Sequence, residues 1–253
     1  MDRTTVTQLS SESTPRRTIS INSDLGESFG LHSFGNDAAL LETIDVANVA
    51  CGFHSGDPET MAQTVELAYQ KNVKIGAHPG LPDLVGFGRR EMKLTASEVE
   101  SLLLYQVGAL NAFLRRTGAE LNHLKPHGSL YGMLARNAEL MTAAAKVCEL
   151  FQVPFFGLAG TEHQKVCTEL GIPFIAELYV DLNYGSEGQL LIKRRPEPTN
   201  PEAAAQRVRR ALEEGVVLAE DGTELRLDFD SICVHSDANN SPAVALAVRD
   251  ALR

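Results

Sequence analysis

The sequence lacks the short motifs that most directly indicate a cofactor. It contains no GxxxxGK(S/T) phosphate loop, no GxGxxG turn and no HExxH pair. A nucleotide would therefore have to bind by another device, such as backbone amides together with lysine and arginine side chains. Residue spacing alone likewise does not establish a metal site.

Paired cysteines are also absent. The four cysteines lie far apart, with no CxxC pair among them: Cys51, Cys148, Cys167 and Cys233. This spacing excludes a zinc ribbon and a disulfide framework. Reduced thiols in a cytoplasmic protein are the interpretation that the pattern favours.

Positive charge and long apolar runs are scarce as well. The net charge is −10 and the pI is near 5.2, which disfavours binding to nucleic acid or to anionic membranes. No apolar run approaches the ~18 residues needed to cross a bilayer. Residues 1–17 are Ser/Thr-rich without an apolar segment, so we expect a disordered tail and no signal peptide.

The remaining residues, 18–253, alternate between strand-like and helical patterns about seven times. The predicted strands are 18–23, 44–50, 73–77, 121–124, 154–158, 173–178 and 231–234. Such alternation predicts a parallel sheet with helices outside it, either closed as a barrel or open and doubly wound. Without an internal repeat or a linker, we expect a single domain.

Several local signals mark the segments between these strands. Asp57 before Pro58 predicts the N-cap of a helix, and Thr95 with Glu98 forms a capping box that predicts a long helix. Residues 81–94 form a long loop with glycines, which is typical of a lid or a binding loop. Residues 184–195 suggest a small hairpin.

Polar side chains follow nearly all the predicted strands. In a parallel β/α barrel the carboxyl ends of the strands form the rim that carries the active site. The candidate residues at this rim, with Arg89 from the long loop, are Asn22, Asp24, Glu27, Asn48, His54, Asp57, His78, Lys125, His127, Glu177, Asp181, His235 and Asp237.

Each of these residues also has a purely structural interpretation. Asp24 could bond its own turn, Asp57 could only cap a helix, and Arg89 could be a solvated loop charge. His123 alternates with apolar residues and is expected to be packed. Glu177 is harder to explain structurally, because a carboxylate at the end of an apolar strand needs a partner.

Two kinds of hydrolysis fit such a rim. In the first, a divalent metal held by Asp24, His54 and His127 would activate water. In the second, carboxylates and histidines activate water without a metal, and Lys125 stabilises negative charge. A barrel that binds small molecules without catalysis is a third alternative.

The sequence resembles the LamB/YcsF family, whose members include the A subunit of the ATP-dependent 5-oxoprolinase. The segments that carry the resemblance are NSDLGESFG (22–30), ANVACGFHSGDP (47–58), IGAHPGLPDLVGFGRR (75–90), LYQVGAL (104–110), KPHGSLY (125–131), GLAG (157–160) and ICVHSD (232–237). The resemblance implies a seven-stranded, TIM-like β/α barrel of the glycoside hydrolase/deacetylase type.

The resemblance also implies an activity, which is the ATP-dependent opening of 5-oxo-L-proline to L-glutamate together with partner subunits B and C. A related lactam such as 2-pyrrolidinone is an alternative substrate. The residues expected to be catalytic are Asp24, His54, Asp57, His127 and His235. Those expected to bind substrate or phosphate are Asn22, Glu27, Asn48, His78, Arg89, Lys125, Glu177, Asp181 and Asp237.

Three positions depart from the usual family pattern. Ser23 stands where the family usually has cysteine, and Leu182 stands where an arginine usually follows the aspartate after the sixth strand. The last motif reads His235-Ser236-Asp237 where the family has His-Gly-Asp. The last two changes lie on the side of strands six and seven, so they bear on the identity of the substrate more than on the fold.

Overall fold

The computed structural model describes residues 18–192 and 198–253, so the predicted tail 1–17 lies outside the described residues. Seven parallel strands form a barrel, and their bounds are β1 Ser20–Leu25, β2 Val46–Ala50, β3 Lys74–His78, β4 Leu121–Leu124, β5 Phe155–Gly157, β6 Phe174–Tyr179 and β11 Ser231–Cys233. The barrel closes in the order β1-β11-β6-β5-β4-β3-β2. The prediction of a seven-stranded β/α barrel is therefore confirmed, and the open alternative is wrong.

Helices cover the outside of the barrel. They are α1 Asp37–Leu40, α2 Pro58–Gln70, α3 Ala96–Thr117, α4 Gly128–Arg136, α5 Ala138–Phe151, α6 Glu162–Leu170, α7 Pro201–Glu214 and α8 Ser241–Ala251. The capping box of α3 forms as predicted, since Thr95 Oγ1 accepts from the Glu98 amide and Glu98 accepts from the Thr95 amide. No helix within the two described ranges is both long and apolar enough to span a membrane.

One helix and one pair of strands were not predicted from the sequence. Helix α4 begins directly after Pro126 and His127, and its first residue, Gly128, has a φ of +52°. Proline, glycine and a positive φ are typical of a loop, yet Leu130 and Leu134 of this helix are fully buried. An antiparallel pair, β9 Val216–Leu218 with β10 Glu224–Arg226, was likewise not predicted.

The hairpin predicted for residues 184–195 is confirmed where the structure describes it. Strands β7 Asn183–Tyr184 and β8 Leu190–Leu191 pair in antiparallel orientation, while residues 193–195 lie outside the described residues. Leu182, Leu190 and Ile192 bring an apolar wall to the carboxyl rim of the barrel.

The strand register aligns the polar side chains at that rim. Asp24 of β1 lies opposite Asn48 of β2, and Asn22 lies opposite Cys233 of β11. Because neighbouring parallel strands point their carboxyl ends the same way, this register collects side chains from distant parts of the chain in one place.

Candidate active site

The floor of the site is a buried cluster of opposite charges. Lys125 Nζ, from the end of β4, lies 3.0 Å from Asp24 Oδ1 and 3.1 Å from Glu177 Oε1. All three side chains are almost inaccessible to solvent. Charged groups buried together in this way are stable in the barrel only with further hydrogen bonds.

Those hydrogen bonds come from a polar layer beneath the ion pair. Asn48 Nδ2 donates to Asp24 Oδ1 and to Asn22 Oδ1, each at 2.8 Å. His123 Nε2 donates to Asn48 Oδ1 at 2.6 Å, so His123 is buried beneath the site as expected. These contacts fix Asp24 Oδ1 from below and leave Asp24 Oδ2 directed toward the rim.

The charges keep Asp24 ionised in spite of burial. Burial by itself would raise the pKa of Asp24, but His78 and Lys125 lower it well below the usual range. Burial would likewise lower the pKa of Lys125, whereas Asp24 raises it well above its ordinary value. At neutral pH the pair is therefore a carboxylate and an ammonium ion.

Two tyrosines complete the surroundings of Glu177, and the sequence did not point to either. Tyr179 Oη donates to Glu177 Oε2 at 2.9 Å, and Tyr131 Oη donates to the same atom at 3.4 Å. Tyr131 belongs to the unpredicted helix α4, while Tyr179 ends β6. For Tyr179 the sequence did offer a signal, which is an aromatic residue at a strand end two positions after Glu177.

A second pair, His235 with Asp181, closes the opposite side of the pocket. His235 Nδ1 donates to Asp181 Oδ1 at 2.9 Å, and Asp181 Oδ2 accepts from the His235 amide at 2.6 Å. Burial would lower the pKa of His235, but Asp181 raises it to about 9. His235 is consequently a cation at neutral pH, and its Nε2 lies 3.5 Å from Asp24 Oδ2.

The long loop 81–94 reaches the pocket through Arg89. Arg89 Nη2 donates to Asp237 Oδ2 at 3.0 Å, which joins this loop to the segment after β11. The guanidinium also lies 5.0 Å from the centre of the Phe87 ring. Arg89, Asp24, Lys125 and His235 all line the same small pocket.

A cluster of metal-ligating side chains lies beside this pocket, and we name it the histidine cluster. Its members are Glu27, His54, His78 and His127, each with one ligating atom within 4.8 Å of the others. All four side chains are buried. Imidazole and carboxylate donors at such distances are compatible with a divalent metal.

Neighbouring rings and glycines hold the cluster in place. The rings of His54 and His127 stack with centroids 3.7 Å apart. A Cβ atom at Gly80 would lie 2.4 Å from His54 Nδ1, and one at Gly88 would lie 2.7 Å from His54 Cβ. Only glycine permits the backbone to approach the rings this closely.

Burial governs the protonation of the cluster. Burial, and then the neighbouring His78, lower the pKa of His54 well below its ordinary value. Burial, and then His54, do the same to the pKa of His127. Burial and the charge of Asp24 raise the pKa of Glu27.

Asp57 is the predicted catalytic residue that the structure places elsewhere. Its carboxylate accepts from the amides of Glu59 and Thr60 at the N-terminus of α2 and from the amide of Gly30. These contacts belong to a helix cap, and the pocket is lined by other residues. The other residues proposed as catalytic, Asp24, His54, His127 and His235, lie in or beside the pocket.

Residues 19–253 match the model of the LamB/YcsF family. The chain is 48% identical to the lactam utilization protein lamB of Emericella nidulans, over 86% of this chain and 87% of the relative. It is 44% identical to the 5-oxoprolinase A subunit of Heliobacterium modesticaldum, over 92% and 94% of the two chains. The crystal structure of the lactam utilization protein from Thermus thermophilus superposes with a TM-score of 0.85 and 41% identity, over 93% of this chain and 96% of that one.

Proposed function

Because the chain belongs to the LamB/YcsF family, we propose that it is the lactam-opening subunit of an ATP-dependent hydrolase. The proposed substrate is 5-oxo-L-proline or a related lactam such as 2-pyrrolidinone. The names of two relatives, a lactam utilization protein and the A subunit of a 5-oxoprolinase, support this substrate class. The structural observation that carries the proposal is the pair of charges that face each other in the pocket, Asp24 and His235.

These two residues suit the two proton transfers of lactam opening. An unstrained lactam is a poor electrophile, so transfer of the γ-phosphoryl group of ATP to the amide oxygen would activate its carbon and release ADP. Asp24 Oδ2 then orients a water molecule and accepts its proton as the water adds to that carbon. His235 Nε2 donates a proton to the ring nitrogen as the C–N bond breaks, and a second water hydrolyses the resulting acyl phosphate.

Lys125 and Arg89 supply the positive charge of the pocket. Lys125 keeps Asp24 ionised from below, while Arg89 enters from the loop 81–94 and lines the pocket together with His127. We propose that Arg89 contacts the carboxylate or phosphate of the bound reactant. A guanidinium fits either group, because its planar N–H donors match two oxygens at once.

We propose that ATP is bound in a complex with two partner subunits, B and C. The relatives are named as one lettered subunit of an oxoprolinase, which supports such an assembly. The sequence carries no phosphate-loop motif, so the phosphoryl group would be delivered by a device other than a Walker-type loop.

The test is glutamate release from 5-oxoproline with ATP, by this chain alone and with subunits B and C. We expect turnover only in the complete mixture, and a loss of at least ~100-fold in kcat for Asp24→Asn and His235→Gln. Asp221→Asn is the matched control, because Asp221 is an exposed carboxylate in the turn between β9 and β10. Normal turnover by both site variants would contradict the proposed roles.

A second function, a metal-dependent amidohydrolase that acts alone, is favoured by one observation, the histidine cluster beside the pocket. In that case the chain would open the lactam without ATP when supplied with a divalent metal. The same assay with Zn²⁺ and without ATP or partners separates the two functions.

A further inference from the structure

We propose that the histidine cluster binds one divalent transition-metal ion, of the kind that prefers imidazole and carboxylate ligands, such as Zn²⁺ or Co²⁺. The proposal goes beyond the ATP-dependent lactam opening and does not depend on it, and it supplies the metal that the second function would require. It rests on the hydrogen bonds of two histidines, on the distances between ligating atoms and on the charge around them.

The hydrogen bonds of His78 and His127 fix which ring nitrogen carries the hydrogen. His78 Nδ1 lies 2.8 Å from the Lys125 carbonyl oxygen, and His127 Nε2 lies 2.8 Å from the Phe87 carbonyl oxygen. A carbonyl oxygen only accepts, so both of these nitrogens must be donors. When the ring is neutral, the other nitrogen of each histidine carries a lone pair.

Those two lone pairs face each other. His78 Nε2 lies 3.0 Å from His127 Nδ1, and Glu27 Oε1 lies 3.4 Å from the same His127 nitrogen. Acceptors that converge in a buried space repel one another unless a positive charge lies between them. A proton shared by His78 and His127 could bridge that one pair, whereas a metal ion would serve these three atoms together.

The separations match those of atoms bound to one metal. Two ligands that each lie about 2.0–2.2 Å from a metal, at about 90–110° to each other, are about 2.8–3.6 Å apart. The three contacts within the cluster measure 3.0, 3.3 and 3.4 Å, the second being His54 Nε2 to Glu27 Oε1. His54 Nδ1 has no partner among the described residues, so the ring has no competing hydrogen bond that would turn Nε2 away.

The surroundings have the features of a metal site beyond the ligands themselves. A histidine ligand usually donates its second N–H to a carbonyl or carboxylate, which fixes the ring, and the Lys125 and Phe87 carbonyls do this here. A second carboxylate oxygen, Asp24 Oδ2, lies 3.3 Å from His78 Nε2. Two buried carboxylates next to three imidazoles favour a divalent cation.

The test is metal binding by the full-length chain alone, after dialysis against a chelator. We expect one Co²⁺ per chain with the visible absorption of an imidazole-bound ion, displaced by one Zn²⁺ in a calorimetric titration. His54→Asn and His127→Asn should each weaken Zn²⁺ binding at least ~10-fold. His32→Asn, at an exposed histidine, should bind as the wild type does.

Glu27→Gln keeps the proposal falsifiable if a histidine variant fails to fold, because the amide preserves the shape of the carboxylate and removes its charge. It should also weaken Zn²⁺ binding while the circular dichroism spectrum stays unchanged. A wild-type chain that takes up no stoichiometric Co²⁺ or Zn²⁺ would overturn the proposal in favour of a shared proton. Equal Zn²⁺ binding by the three cluster variants and the His32→Asn control would also overturn it, because the metal would then be bound at the protein surface. Since no lactam or ATP is present, neither result depends on the proposed enzymatic activity.

Discussion

Lys125 Nζ lies 3.0 Å from Asp24 Oδ1 in the floor of the barrel, although 101 positions separate the two residues in the chain. Both residues are at most 3% exposed. The ammonium also donates to Asn22 Oδ1 and contacts Cys233 Sγ at 3.0 Å. This pair connects stability and function, because it orients the carboxylate oxygen that faces the pocket.

We expect Lys125→Met to destabilise the protein by about 3–5 kcal/mol, because it leaves the buried charges of Asp24 and Glu177 without their cation. Urea denaturation followed by circular dichroism measures the change. Arg210→Met is the control, since Arg210 pairs with Glu214 on the surface, and its loss should change the free energy of unfolding far less than Lys125→Met does. Equal losses in the two variants would mean that the buried pair is not a structural requirement.

The His235–Asp181 pair should make stability depend on pH. The folded-state pKa of His235 is about 9, above its ordinary value of 6.5, so protonation of His235 stabilises the folded state. This contribution is complete below about pH 6.5 and is lost as the pH rises through 9. The difference in unfolding free energy between wild type and His235→Gln should therefore shrink between about pH 6.5 and 10, as denaturant titrations at several pH values would show. If the difference between the two unfolding free energies stays constant over this range, the pKa of His235 is not raised in the folded state.

Asp57 should act as a helix cap. We expect Asp57→Ala to cost about 0.5–2 kcal/mol in unfolding free energy, because the amides of Glu59 and Thr60 lose their acceptor. Asp57→Ser should retain most of the stability, since serine also caps. Turnover by Asp57→Ser in the reconstituted assay tests the catalytic role predicted from the sequence: a stable variant that has lost its kcat would support that role.

Gly88 should tolerate no side chain. Its φ is +62°, and a Cβ atom would lie 2.7 Å from His54 Cβ and 2.9 Å from His127 Cδ2. We expect Gly88→Ala to destabilise the protein by about 1–3 kcal/mol through clash and backbone strain. Gly108→Ala is the matched control: Gly108 lies inside α3 with open space around it, so alanine should stabilise by up to about 1 kcal/mol. Thermal unfolding of the two variants should shift in opposite directions.

Much of the fold follows from residues that are close together in the sequence. The capping box of Thr95 and Glu98 begins α3 as predicted, and the bounds of β4 coincide with the predicted strand 121–124. Helix α4 shows the limit of such reasoning, because its start at Gly128 carries loop signals while tertiary packing buries its apolar side chains. Packing of Leu130 and Leu134 overrides the local preference.

The order of residues along the chain is enough to predict that polar side chains end the strands, because strand periodicity and helix capping act over a few residues. Which of those side chains meet depends on barrel closure and strand register, and these are properties of the folded chain. Asp57 remains at a helix cap, while Glu27 joins three histidines from the ends of three other strands. Barrel closure brings His78 and His127 together, although they are 49 positions apart in the chain. Burial then lowers the pKa of His127.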